Sequence, residues 1–231
     1  MRLFFAVLLV LAVTACSRGS GANTPQSNAG APVSDTSPRD QPNNAVNSEP
    51  KPRETLKPVE KPEAMPDHRI KAPADWQKLE DDKLAWLVVA EIWKWADFYE
   101  AYAPFKQQMA ELTKGQRAIY ATLWCDAEVD NGGFHQFFGN STGMLGPDAV
   151  EGFRLIGMEE SAKAVEAAIA WAKFDPYPRE RKERQERLPD YRSNKDHWYK
   201  NLGEPFYAAN EGMEAKQAAY IRAHPEEFFL P

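Results

Sequence analysis

A chain of 231 residues with net charge −6 and mean hydropathy −0.61 is long enough to build one self-supporting core. It carries no basic excess with which to grip a nucleic-acid backbone, so direct nucleic-acid binding is not expected. With only two cysteines, Cys16 and Cys125, a disulfide-stapled scaffold is excluded.

Met1-Arg2, an apolar run from Leu3 to Val13 and small residues up to Ala15 have the layout of a secretory signal peptide over residues 1–15. The run is too short to span a bilayer, which needs about 20 apolar residues. Val13-Thr14-Ala15-Cys16 resembles the lipobox of bacterial lipoproteins, which implies acylation of Cys16 and a stable lipid anchor. The alternative is an ordinary signal cleaved near Ala15, with Cys16 incidental. Ser17 in the next position resembles proteins sorted to the outer membrane. The expected location is therefore the bacterial cell envelope, lipid-anchored and facing the periplasm.

Residues 16–73 read as a disordered linker. They hold ten of the 18 prolines amid Ser, Asn, Gly and Ala, with too little apolar surface to offset the entropy of ordering. Such a coil reaches on the order of 40 Å and stands the following domain off the membrane. From Asp67 onward 21 Lys and Arg face 28 Asp and Glu, and the acidic excess lies before Trp171. That bias is modest beside a duplex with one negative charge per roughly 1.7 Å of axis, and ordinary solubility also explains it.

Residues 74–231 read as an all-α domain, a single compact multi-helix bundle. Asp75 is placed to cap a long helix running to Tyr99, apolar at three- and four-residue steps. Pro104 opens a second helix to about Leu112. Thr113 and Gln116 have capping-box spacing for a third, with Ile119, Leu123 and Ala127 on one face, ended by Gly132-Gly133. Gly146-Pro147 opens the next, Gly157 closes it, and Glu159 to Ala172 follows. After the Asp175-Pro176-Tyr177-Pro178 break, Arg179 to Arg187 reads as a solvated helix. Trp198, in a polar stretch, reads as an exposed aromatic. Helices around Phe206 and Tyr220 complete the bundle.

The richest stretch is Trp124-Cys125-Asp126-Ala127-Glu128-Val129-Asp130-Asn131-Gly132-Gly133-Phe134-His135-Gln136-Phe137-Phe138. Cys125, in an apolar helix without a nearby cation, behaves as a small buried hydrophobe and not as a nucleophile. Glu128, Asp130 and His135 could ligate a divalent metal or act as acid and base. The calcium-loop spacing fails: glycine arrives one place late, and Phe137 stands where a bidentate Glu is required. Against that chemistry stands a structural corner. Gly132-Gly133 supplies a left-handed residue and Asn131 tolerates the same region, while Phe134 and Phe137 are buried and Glu128, Asn131 and Gln136 satisfy exposed backbone groups. A third reading is a ligand or partner surface in which Asp130, His135, Gln136 and Asn140 line a shallow cleft. No catalytic residue, metal or cofactor is assigned.

This motif, together with Asn140-Ser141, the Leu155-Ile156-Gly157 turn, Phe206-Tyr207 and the Tyr220-to-Phe228 segment, resembles the signature of the DNA-mimic protein family, a bacterial all-helical domain. The resemblance implies an all-α fold and, by the family's name, competition with DNA for a DNA-binding protein. A fold does not transmit an activity, so three functions are carried forward. The first is a non-enzymatic envelope lipoprotein presenting its acidic helical face to a protein partner. The second is a metal- or carboxylate-dependent envelope hydrolase using the Glu128 to His135 region. The third is the DNA-mimic inhibitor; here export removes the chain from cytoplasmic regulators and its charge is low.

Overall fold

The structure, a computed structural model, describes residues 66–99 and 101–231. The expected signal peptide, the lipidation site Cys16 and the linker up to residue 65 lie outside the described residues. Among the described residues the fold is all helical, with one isolated parallel bridge, Ile70 to Phe229, and no strand. No helix among them is long and apolar enough to cross a membrane.

Ordered contacts begin ahead of the first helix. The Ile70 amide donates to the Phe228 carbonyl and the Leu230 amide to the Ile70 carbonyl, both at 2.9 Å, while His68 Nε2 lies 2.7 Å from the Glu111 carboxylate. The single long helix expected from Asp75 to Tyr99 is divided. Asp75 sits in the left-handed region at φ 57° without a capping hydrogen bond, a 3-10 turn covers Trp76–Lys78, and helix α1 spans Asp81–Trp93. Asp75 instead pairs with Lys78 at 2.9 Å. Beyond Trp93 side chains take over the backbone groups: Gln108 Oε1 accepts from the Asp97 amide and the Asp97 carboxylate from the Tyr99 amide. Ala96 and Phe98 are nonetheless buried. Helical periodicity cannot distinguish a helix from a turn that buries the same side chains.

Helix α2 covers Tyr102–Glu111 and α3 Lys114–Gly139, the latter opened by the expected capping box of Thr113 and Gln116. A 3-10 turn at Ser141–Leu145 leads into α4, Gly146–Leu155, with Pro147 in its first turn, and α5 spans Glu159–Trp171. Helices α6, Arg181–Arg187, and α7, Tyr191–Asp196, follow; α7 runs into a π-helical stretch, His197–Gly203. Helices α8, Glu204–Ala209, and α9, Met213–Ala223, end the bundle.

Helix α3 is the axle: α1, α4, α6 and α9 all pack on it, burying Ile119, Tyr120, Leu123, Trp124 and Cys125. Aromatic edges knit the core. Trp93 and Phe98 meet Trp124 at 5.2 and 5.1 Å, and Phe134 and Phe153 meet Phe206 at 5.2 and 5.8 Å. Two expectations are corrected. Trp198 is buried, edge-on to Trp171 at 4.5 Å, while its polar neighbours Lys195, Asp196 and Lys200 face solvent. The charged helix α6 is not solvated throughout, because Arg184 is completely buried.

Candidate functional site

The signature stretch does not end its helix; it bends it. Backbone geometry is helical up to Asn131, breaks at Gly132 (φ −157°, ψ 18°) and Gly133 (φ 74°, ψ −179°), and resumes through Gly139. Of the two glycines expected to supply a left-handed residue, Gly133 carries the positive φ, in a region open essentially to glycine alone. Gly133→Ala should therefore cost about 1–3 kcal/mol, although no atom stands within 4 Å of the added Cβ. A Cβ on Gly132 instead overlaps the Gln136 carboxamide. Urea melts of the two variants check this: a Gly133→Ala protein as stable as the parent would show that the bend relaxes freely.

The bend folds Gln136 back over Glu128. The Glu128 side chain is buried, and its carboxylate is fully engaged. Oε2 accepts from Gln136 Nε2 at 3.0 Å and Asn140 Nδ2 at 2.8 Å, while Oε1 accepts from the Thr142 hydroxyl at 2.7 Å. Three neutral donors converging on one carboxylate replace the water that burial removes. The partners are side chains eight, twelve and fourteen residues away, not the exposed backbone groups expected.

Arg184 grips the same segment from the other side. Its guanidinium donates to the carbonyls of Phe138 at 2.9 Å, Asn140 at 2.7 Å and Pro178 at 3.3 Å, and also to that of Arg179. Arg181 and Gln185 add bonds of 3.0 and 2.7 Å to the Gly139 carbonyl. Helix α6 thus caps the orphan carbonyls at the C-terminus of α3, where positive charge is also favoured by the helix dipole. Burial lowers the Arg184 pKa to about 10, which leaves it cationic at neutral pH. Gly143 permits the close approach, since a Cβ there meets Arg184 Nε at 2.9 Å and the Phe138 carbonyl at the same distance.

The remaining motif residues separate. Phe134 and Phe137 are core; Asp130, Asn131 and Gly132 are exposed; Gly133 and His135 are half-buried. The His135 ring lies 5.1 Å from Tyr191 and 5.4 Å from Trp198. Burial pulls its pKa down, with Asp190 and the Pro189 backbone opposing. Asp126, on the opposite side of α3 from Glu128, accepts from Asn210 Nδ2 at 2.5 Å. Burial also raises the Cys125 thiol well above its ordinary value, which fits an inert core thiol. Among the described residues the three-donor cluster of metal-binding type is His224, Glu226 and Glu227, far along the chain from the motif; Glu128, Asp130 and His135 form no such set. In that cluster Glu227 already accepts from Tyr220 Oη at 2.9 Å and from the Gly115 amide.

Sequence reasoning missed Thr142, Arg184, Tyr207 and Asn210. Thr142 lies only two residues beyond Asn140 and shared its polar context. Arg184 is one of seven consecutive charged or amide side chains and carries no local mark of burial.

The family model described as DMP19-like protein matches residues 110–224, from the end of α2 to just past α9. The helical domain belongs to the DMP19-like family. The match includes the 124–138 stretch that carried the resemblance to DNA-mimic proteins, and also Arg184, which clamps it. A comparison with curated proteins finds no match.

Proposed function

We propose that this chain is a non-enzymatic interaction module of the bacterial envelope, lipid-anchored through Cys16, whose DMP19-like domain presents an acidic surface to a basic protein. The observation that carries the reading is a seam between α3 and α8. Tyr207 Oη donates to the Val129 carbonyl at 2.9 Å and Asn210 to Asp126, so α8 is seated beside the turn that bears Asp126 and Asp130. Exposed Glu204 and Glu211 flank α8, and Glu214 opens α9. Among the described residues no Lys or Arg nitrogen lies within ion-pair distance of these three glutamates. Elsewhere several acids are matched: Asp75 by Lys78, Glu91 by Lys94, Glu160 by Lys163, and both Glu159 and Glu166 by Arg154. An acidic field concentrated at one seam attracts and orients a cationic partner.

The hydrolase reading loses its carboxylate, because both Glu128 oxygens are spent on Gln136, Asn140 and Thr142. The DNA-mimic reading is favoured by family membership and narrows the partner to a DNA-binding protein. Photo-crosslinking from the seam in intact cells tests both. The parent should yield a partner that is lost in an Asp130→Asn, Glu204→Gln, Glu211→Gln triple variant, and Cys16→Ala should release the protein from membranes. Capture unaffected by neutralisation, or unchanged membrane fractionation of Cys16→Ala, would sink the corresponding half of the proposal. If the DNA-mimic reading is right, the captured protein binds DNA and loses it when the chain is added.

A further inference from the structure

The corner engages Glu128, Gln136 and Asn140 and leaves His135 aside. His135 lies on α3 beyond the glycine break and is half-buried. Its ring meets two others, Tyr191 at 5.1 Å with a tilt of 55° and Trp198 at 5.4 Å with a near-perpendicular 80°. Tyr191 opens α7 and Trp198 belongs to the π-helical stretch that continues it, so one imidazole bears on both elements.

These two elements are not held equally. Trp198 is buried, edge-on to Trp171 at 4.5 Å and to Phe138 at 6.4 Å, and His197 stacks on Trp171 at 4.4 Å. Helix α7 spans six residues, buries none of them and leaves helical geometry at Asn194 (φ −127°). So short a helix has little stability of its own and stays ordered through tertiary contacts. The Asp190 carboxylate caps it by accepting from the Ser193 amide at 2.8 Å, a bond that stays within α7. The contact of Tyr191 with His135 ties it to α3.

A half-buried imidazole packed against rings is more easily held neutral than charged. Burial pulls the His135 pKa below its ordinary value, and the Asp190 carboxylate and the Pro189 backbone, both just ahead of α7, oppose that pull without cancelling it. Asp190 is itself shared with Arg192 and with the Ser193 amide. The π-helical stretch turns the uncharged Trp198 toward His135, while its own histidine, His197, stacks on Trp171. Folding therefore favours the neutral ring. Its contribution is present in full above the pKa of an unfolded histidine, about 6.5, and is lost as the pH falls below that through the lower folded value.

We propose that His135 is an acid-sensitive latch, which holds α7 and the π-helical stretch against α3 while its ring is uncharged and releases α7 on protonation. The π-helical stretch runs directly into α8, where Tyr207 and Asn210 join α3. Acid thereby also slackens the face that carries Glu204 and Glu211. Only that last consequence rests on the acidic-surface reading above.

Hydrogen exchange of the full chain at about pH 8 and about pH 5, the span over which an imidazole changes charge, tests the latch. Each amide is referenced to the urea-unfolded chain at the same pH, which removes the intrinsic pH dependence of exchange. In the parent, the amides of residues 190–203 should lose protection on acidification relative to those of α4. His135→Phe keeps a ring and His135→Gln keeps a polar group, and neither titrates; protection over the same residues should be equal at the two pH values in each variant, whatever its level. Parent protection over 190–203 that does not change with pH would overturn the latch. A loss in both variants equal to the parent's would assign the pH dependence to another group and overturn it as well. The crosslinking experiment, run without a change of pH, decides the acidic-surface reading separately.

Discussion

Replacing Arg184 by alanine is expected to remove about 3–5 kcal/mol, a large part of a typical domain's stability. The guanidinium is completely buried and serves the carbonyls of Phe138, Asn140, Pro178 and Arg179. Truncation leaves several of these without a donor, each costing roughly 1–3 kcal/mol, and opens a void beneath α6. Arg184→Lys keeps the charge but offers one compact head in place of a planar fork, so it should recover only part of the loss. Denaturant unfolding gives the answer directly. A loss below about 1 kcal/mol for the alanine variant would mean that water replaces the guanidinium, and the clamp between α6 and the end of α3 would then be dispensable.

Glu128→Gln should lower stability by roughly 2–3 kcal/mol, equivalent to a melting temperature about 5–10 °C lower for a domain of this size. All three partners point a hydrogen at the carboxylate. A glutamine has one accepting oxygen, so its own amide nitrogen must oppose a donor from Gln136, Asn140 or Thr142. Removing charge from a site that satisfies it so completely is a structural loss. A metal-binding or catalytic carboxylate behaves in the opposite sense, since functional sites are commonly strained and gain stability when neutralised. A Glu128→Gln protein that melts above the parent, together with a parent whose melt falls on adding a chelator, would restore the hydrolase reading. The expected result is a lower melt in the variant and chelator-independent melting in both.

Both predictions concern one device. A glycine kink interrupts α3 at Gly132-Gly133, a buried carboxylate holds the far side of the kink through Gln136, Asn140 and Thr142, and a buried guanidinium from α6 caps carbonyls at its end. The acidic seam with α8 lies on the same helix, where Asp126 and Asp130 leave α3 on a face other than that of Glu128. The corner is thus scaffolding for a surface, and the surface is where the proposed function resides.

What the amino-acid sequence determined by itself is local. Thr113 with Gln116, Pro147 in the first turn of α4 and Gly157 at its end (φ 77°) act within a few residues, so their effect on helix ends could be read from spacing alone. The all-α class and the burial of Phe134, Phe137 and Cys125 followed likewise from periodicity. Tertiary structure decided the rest. After Asp75 the chain is held by distant elements, Trp76 on Phe229 and the Gln77 and Leu79 carbonyls by Arg222, and Trp198 went inward because Trp171 and Phe138 offered it a wall. Glu128 acquired three neutral side-chain partners because the chain beyond the Gly132-Gly133 break brings Gln136, Asn140 and Thr142 onto it. Arg184 looks like any arginine in a charged helix until the end of α3 presents the Phe138 and Asn140 carbonyls to it. A side chain's charge and shape are encoded where it stands, but whether that charge meets water, a ligand or an orphaned backbone group depends on elements tens of residues away, and only the packed chain brings those together.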